Sequence, residues 1–334
     1  MRDSIVCGSC LSLLPSVSSG AIDALITDPP YGLGTKLPNP EQVENYLSGG
    51  TLNHGGDFMG KDWEMPSVHV WRQAHRVLKP DGLLGVFAGT RTVDLMAAGV
   101  LASGFKLVRR GAWIYSSGFP KSMSVGKAID RSKGATREVV GVKSDPRYKS
   151  PRKTAVFGKR VWEGSSYATI GTSGTGSGED HPAAQITAPA TAEAEAWEGW
   201  GTALKPAWEP FLIFAKESSD KGYDPSPLFM YCAKPPKKET TAGGTIENKH
   251  LTVKPLRLMR YFIEAMTAPG DLVLDPYVGS GTTAVACVET GRSYLGFEKD
   301  PASHTTAVQR VEEAIQRTAP DFDLMTLIAQ ARGE

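Results

Sequence analysis

Asp28-Pro29-Pro30-Tyr31 sets a carboxylate, two backbone-fixing prolines and an aromatic ring directly after the apolar run 21–27. An exocyclic amine carries two hydrogens and a lone pair delocalised into its ring. Two acceptors aimed at those hydrogens, the carboxylate and a peptide carbonyl, would turn the nitrogen toward attack geometry while the Tyr31 ring stacks on the base. Prolines cannot continue a sheet ladder, so the strand must stop here and present these groups at its carboxyl edge, where open α/β sheets bind ligands. Taken alone, the tetrapeptide is also an ordinary strand-ending turn.

A second group, Asp275-Pro276-Tyr277-Val278-Gly279-Ser280-Gly281-Thr282-Thr283, lies between an apolar run and a helical pattern. Glycines at such a turn let the backbone approach a ligand, and a helix N-terminus favours a carboxylate. Only Gly279 and Gly281 are available, so the dinucleotide fingerprint is not met and a smaller nucleoside ligand is favoured over a nicotinamide cofactor. Glu298, seventeen residues after Gly281, closes the next strand and could accept both ribose hydroxyls of an adenosine moiety. Its plainer reading is a charge at the start of the last helix.

The elements that must position these groups follow from pattern. Through the first third, strands at 21–27, 83–88 and 105–115 alternate with helices at 68–78 and 92–102, with Arg109 and Arg110 interrupting the third strand. Lys79-Pro80-Asp81-Gly82 stops the first of these helices. Between 116 and 204 the alternation fails, leaving expected strands near 137–142 and 155–157, a flexible loop at 171–182, and a segment at 188–200 that permits a short helix. Order returns with a strand at 211–215, a helix at 255–266 burying Leu256, Met259, Ile263 and Met266, a strand at 272–274, a helix at 282–289, and a strand at 293–297. The closing helix at 301–317 turns Ala307, Val308, Val311 and Ile315 inward. Alternation of this kind describes a sheet covered by helices on both faces.

At 334 residues the chain can bury a full core, and its four cysteines do not describe a disulfide framework. Cys7 and Cys10 have C-x-x-C spacing, but Cys232 and Cys287 offer no matching pair, so ordinary thiols and no metal are expected. No apolar stretch is long enough for a membrane span or leads from a basic segment, and a soluble cytoplasmic protein is expected. Lys plus Arg exceed Asp plus Glu by one, yet residues 109–160 hold fourteen basic side chains against three acidic. That stretch reads either as a solvated loop-rich insert or, beside a site that acts on bases, as a phosphate-tracking surface.

On these residues the chain resembles the amino-group DNA methyltransferases, adenine N6 or cytosine N4, in the β arrangement, in which the catalytic motif comes first and the cofactor motif last. Asp28, Pro29, Pro30 and Tyr31 match the catalytic tetrapeptide. Asp275, Pro276, Tyr277, Gly279, Ser280, Gly281, Thr282 and Thr283 resemble the cofactor motif D-P-F-x-G-S-G-T-T, with Tyr277 in place of phenylalanine. Asn248 to Pro255 resembles N-x-H-P-T-V-K-P, with Leu251 for the first proline, so His250, Thr252 and Lys254 would help seat the methionine end of S-adenosylmethionine. Glu298 falls at the ribose acid. Many relatives have Gly-Asp near the start, where this chain has Gly8-Ser9, so Ser9 would offer a hydroxyl in place of the adenine-contacting acid.

The resemblance implies a Rossmann-like seven-stranded mixed sheet with one antiparallel strand, a methyltransferase domain over 1–115 and 205–334, and a target-recognition insertion over 116–204. It implies methyl transfer to adenine N6 in double-stranded DNA after base flipping, since Asp leads the tetrapeptide where Ser leans toward cytosine N4. Cytosine N4 is the alternative, and a DNA-binding protein without turnover a further one that two intact motifs argue against. Lys121, Lys127, Arg131 and Lys133 are the expected phosphate contacts. A homodimer and a cognate restriction endonuclease are left open as partners.

Overall fold

The computed structural model describes residues 2–32, 38–52, 64–115, 124–142, 185–201, 207–217, 228–248, 250 and 252–318. The strand expected at 155–157, the loop at 171–182 and Lys121 lie outside them. The strands are β1 (Ser4–Cys7), β2 (Ile22–Thr27), β3 (Leu78–Phe87), β4 (Lys106–Tyr115), β5 (Val139–Val142), β6 (Gln185–Thr187), β7 (Ala207–Ala215), β8 (Leu228–Tyr231), β9 (Leu272–Asp275) and β10 (Ser293–Glu298). The helices are α1 (Cys10–Leu13), α2 (Pro40–Leu47), α3 (Val68–Val77), α4 (Val93–Leu101), α5 (Val125–Ser132), α6 (Ala192–Ala196), α7 (Lys237–Thr240), α8 (Leu256–Met266), α9 (Thr282–Glu289) and α10 (Pro301–Thr318).

Two compact units are formed, one from Met1–Asp57, Asp62–Ile114 and Glu209–Glu334, the other from Phe58–Lys61 and Tyr115–Trp208. The main sheet has the order β1-β10-β9-β2-β3-β7-β4-β8, eight strands among the described residues rather than seven. At one edge lies the short β8, whose alternating half-buried and exposed residues pair with β4 from Gly111 to Ile114. Strands β1, β10, β9, β2 and β3 run parallel, and β7 runs antiparallel to β3. Helices cover both faces of this mixed sheet.

The central strands are buried on both faces, which is why they read as continuous apolar runs rather than alternating ones. Leu25, Ile26, Leu274, Leu295 and Phe297 are each at most 2% exposed. Each such side chain contributes about 1.5–3 kcal/mol by leaving water, so the sheet centre holds these strands together largely through burial. Asp23 ties the start of β2 on both sides, pairing with Lys79 and accepting the Leu272 N–H at 2.9 Å.

Four local expectations are corrected. Lys79-Pro80-Asp81-Gly82 ends α3 but stays within β3 as a bulge, the pairing jumping from Ile22 with Leu78 to Ala24 with Leu83. Arg109 and Arg110 do not interrupt β4. The inward face of α10 carries Ala307, Arg310, Val311 and Ala314, with Ile315 48% exposed, because Arg310 turns in toward the glycine turn. On α8 the buried stripe is Leu258, Met259, Phe262 and Ile263 rather than one running through Leu256 and Met266.

In the second unit, β5 and β6 form an antiparallel pair, and α5 packs on α6. Asp130, 1% exposed on α5, accepts the Ala190 N–H at 3.0 Å and the Thr191 hydroxyl at 2.8 Å and faces Arg137 Nε at 2.8 Å. Burial alone would raise its carboxyl, but these three partners outweigh that and hold it below the usual range.

Candidate active site

Strands β2 and β9 are neighbours, Ala24 opposite Val273 and Leu25 opposite Leu274, so their carboxyl ends bring residues 28 and 275 to one edge. The join is a side-chain bond: Thr27 Oγ1 donates to Asp275 Oδ1 at 2.7 Å. Asp275 also accepts the Thr283 hydroxyl at 2.6 Å and the Tyr277 N–H at 3.0 Å. Burial pushes its carboxyl up to about 6, with these donors pulling back. Three protein donors occupy its two oxygens, so Asp275 braces the glycine turn that follows it.

That turn depends on two glycines with positive φ. Gly281, at +86°, has Ala307 Cα 2.9 Å from where a Cβ would stand, so α10 closes against it. Gly279, at +56°, would meet His250 Nε2 at 3.2 Å. Its N–H donates to Glu298 Oε2 at 3.0 Å, while Asp300 N–H donates to Oε1 at 2.8 Å, so Glu298 stands directly over the turn. Burial raises the Glu298 carboxyl, and the two N–H bonds oppose the rise. From below, the buried Arg310 guanidinium donates to the Ser280 carbonyl at 2.7 Å and to the Ser280 and Thr282 hydroxyls at 3.1 Å each. Desolvation lowers Arg310 to about 10. The sequence reading missed this residue, since a lone arginine on a helix reads as solvated.

Ser9 caps α1, accepting the Leu11 N–H at 3.3 Å, and the preceding Gly8 N–H donates to the Glu298 carbonyl at 2.8 Å. Ser9 therefore lies next to the carboxyl end of β10. Tyr277, in place of phenylalanine, has its hydroxyl met by Cys10 Sγ at 3.2 Å. Cys10 is buried and Cys7 exposed, and among the described residues no group of three potential metal ligands forms.

At the neighbouring strand end the tetrapeptide is folded on itself. Tyr31 Oη donates toward Asp28 Oδ1 at 2.6 Å, and Lys254 Nζ pairs with Asp28 Oδ2. Lys254 also lies 3.1 Å from Glu209 Oε2 and 3.1 Å from the Tyr31 hydroxyl, which itself lies 3.1 Å from Glu209 Oε2. The ammonium is within 5.1–5.8 Å of the ring centres of Phe87, Tyr31 and Trp113. Burial pushes Asp28 up, Lys254 pulls it back and Glu209 adds to the rise; Tyr31 stays well above its ordinary value from burial and the two carboxylates. For Lys254 burial works toward neutrality, and the two carboxylates overcome it. Thr92 Oγ1 fixes the Tyr31 carbonyl at 2.6 Å.

Lys254, expected at the methionine end of the cofactor, is thus bonded to Asp28, and Glu209 was not singled out from sequence. Thr252 lies on the segment leading to α8. In the second unit Lys127 is half-buried and lowered by desolvation, Arg131 is exposed, and the exposed Lys133 pairs with Glu193.

A mixed sheet carrying an acid–proline–proline–tyrosine edge beside a glycine turn and a terminal acid defines a methyltransferase-type site. Residues 22–309 match the family model described as DNA methylase, N6_N4_Mtase, and the chain belongs to that S-adenosylmethionine-dependent family of amino-group DNA methyltransferases. It is 44% identical over 89 residues to the type II methyltransferase M.XycI of Xanthomonas campestris pv. cyanopsidis, covering 22% of this chain and 30% of that one. It is 30% identical over 135 residues to the type II methyltransferase M.HindIII of Haemophilus influenzae, covering 34% and 44%. The chain thus spans less than half the length of either relative. The solved PvuII DNA methyltransferase, described as cytosine-N4-specific, matches 100% of this chain and 92% of its own at 18% identity and TM-score 0.52, a likeness of fold.

Proposed function

We propose that the chain transfers a methyl group from S-adenosylmethionine to the exocyclic amine of a base in double-stranded DNA. The observation that carries this reading is the adjacency of β2 and β9, which sets Asp28 one residue beyond the bolt between Thr27 and Asp275. The residues present suit the cofactor: a glycine turn with positive φ, a carboxylate over it for the ribose, and a hydroxyl at Ser9. When bound, S-adenosylmethionine supplies an already activated methyl, so the chain needs to orient the acceptor and exclude water rather than form a covalent bond to it.

Asp28 and the Pro29 carbonyl hold the two amine hydrogens, and Asp28 stabilises the charge that develops on nitrogen. Tyr31 receives the face of a base rotated out of the duplex. The second unit, with Lys127, Arg131 and Lys133, tracks phosphates and reads the site.

Asp at the head of the tetrapeptide supports adenine N6. The likeness to the cytosine-N4-specific PvuII enzyme supports cytosine N4 as the second reading, and both amines suit one arrangement of acceptors. Expressing the protein in cells lacking DNA methylation and digesting their DNA to nucleosides decides between them. N6-methyladenine supports the first reading, N4-methylcytosine the second, and unmodified DNA from cells holding folded protein would overturn both.

A further inference from the structure

Both Asp28 oxygens are engaged, one by Lys254 and one by the Tyr31 hydroxyl, so an incoming amine competes with these donors for the carboxylate. Lys254 is 6% exposed and also lies 3.1 Å from Glu209 Oε2. Tyr31, by contrast, has a second acceptor within reach, Glu209 Oε2 at 3.1 Å. Glu209 reaches the site because β7 is antiparallel. Phe211 pairs with Phe87 and Ala88 N–H donates to the Pro210 carbonyl, so the residue before Pro210 emerges at the carboxyl edge of β3, beside the end of β2.

Resting on the function proposed above, we infer that Glu209 is a positioning residue: it anchors Lys254 and offers the Tyr31 hydroxyl an alternative acceptor, so that one Asp28 oxygen can be exchanged from tyrosine to the target amine. Only hydrogen bonds change hands. Lys254 stays between the two carboxylates, keeping the Asp28 carboxylate directed at the edge, and the Tyr31 ring becomes available for the base without leaving its hydroxyl unmet. Glutamine at position 209 leaves the ammonium with one carboxylate and offers the tyrosine a neutral acceptor in place of a charged one, so the resting contact to Asp28 becomes harder to replace.

The test is a double-mutant cycle with Glu209→Gln and Lys254→Met, read by methyl transfer into unmethylated bacterial DNA from tritiated S-adenosylmethionine and by cofactor binding in calorimetry. Glu209→Gln should lower kcat roughly tenfold with KM for DNA changed less than about threefold and cofactor affinity kept within about twofold. In the Lys254→Met background the same substitution should cost less than about twofold, because the two residues act as a unit. Additive losses, an unchanged kcat for Glu209→Gln, or a Glu209→Gln variant that loses cofactor affinity and melts early would each overturn the assignment, the last making Glu209 a structural residue. A wild-type protein that binds cofactor but labels no DNA would refute the function instead.

Discussion

Thr27 donates its hydroxyl to Asp275 across 248 residues of sequence, a buried bond of 2.7 Å that joins the end of β2 to the end of β9, where the glycine turn begins. It ties Asp28, the residue after Thr27, to the glycine turn that follows Asp275.

Replacing Asp275 by alanine strands the Thr27 and Thr283 hydroxyls and the Tyr277 N–H in the interior, and should cost about 3 kcal/mol or more in urea unfolding. Asparagine keeps an acceptor and lets Thr283 turn to accept. Asp275→Asn should therefore unfold within about 1 kcal/mol of wild type near pH 7 or above it.

The same residue makes stability fall with pH. Its folded-state carboxyl is raised from 3.8 to about 6 by burial, so its contribution is full below about pH 4 and lost as pH rises through 6. The loss should reach about 3 kcal/mol by pH 7, taking 1.36 kcal/mol for each pKa unit. Urea unfolding of wild type and Asp275→Asn from pH 4 to 7 should show their difference shifting in favour of the asparagine variant; parallel curves would contradict the assignment.

The contact between Cys10 and Tyr277 carries little energy, since a thiol is a weak donor. Tyr277→Phe should leave melting within about 0.5 kcal/mol of wild type and cofactor affinity within about twofold, as calorimetry would show. The hydroxyl is an addition that Cys10 accommodates.

In the second unit, the exposed pair of Lys133 with Glu193 contributes at most about 1 kcal/mol and can yield to phosphate. The triple change Lys127→Ala, Arg131→Ala, Lys133→Ala should flatten the dependence of log affinity on log salt by roughly 3, near 0.9 per lost phosphate contact. Anisotropy of a labelled duplex over a salt series measures it.

Legibility in the sequence followed burial. The runs that became β2, β9 and β10 are apolar because they are covered on both faces, and the two motifs at their ends could be read without knowing the strand order. Short edge strands β1 and β8 carry too little pattern to announce themselves. Asn39 and Gln42 form a capping box for α2 that went unread because the helix itself is mostly polar. Glu209 and Arg310 are polar residues made functional or structural only by partners far along the chain, and Lys254 changed its expected neighbour for the same reason. No local pattern encodes an antiparallel strand delivering its first residues to the edge where the others finish.

The most direct measurement compares wild type with Asp28→Ala for cofactor binding and for methyl transfer to DNA. Dissociation constants within about threefold together with a loss of transfer of at least about a hundredfold would place Asp28 at the amine and leave the glycine turn to the cofactor alone. Transfer by Asp28→Ala at the wild-type rate would contradict the account.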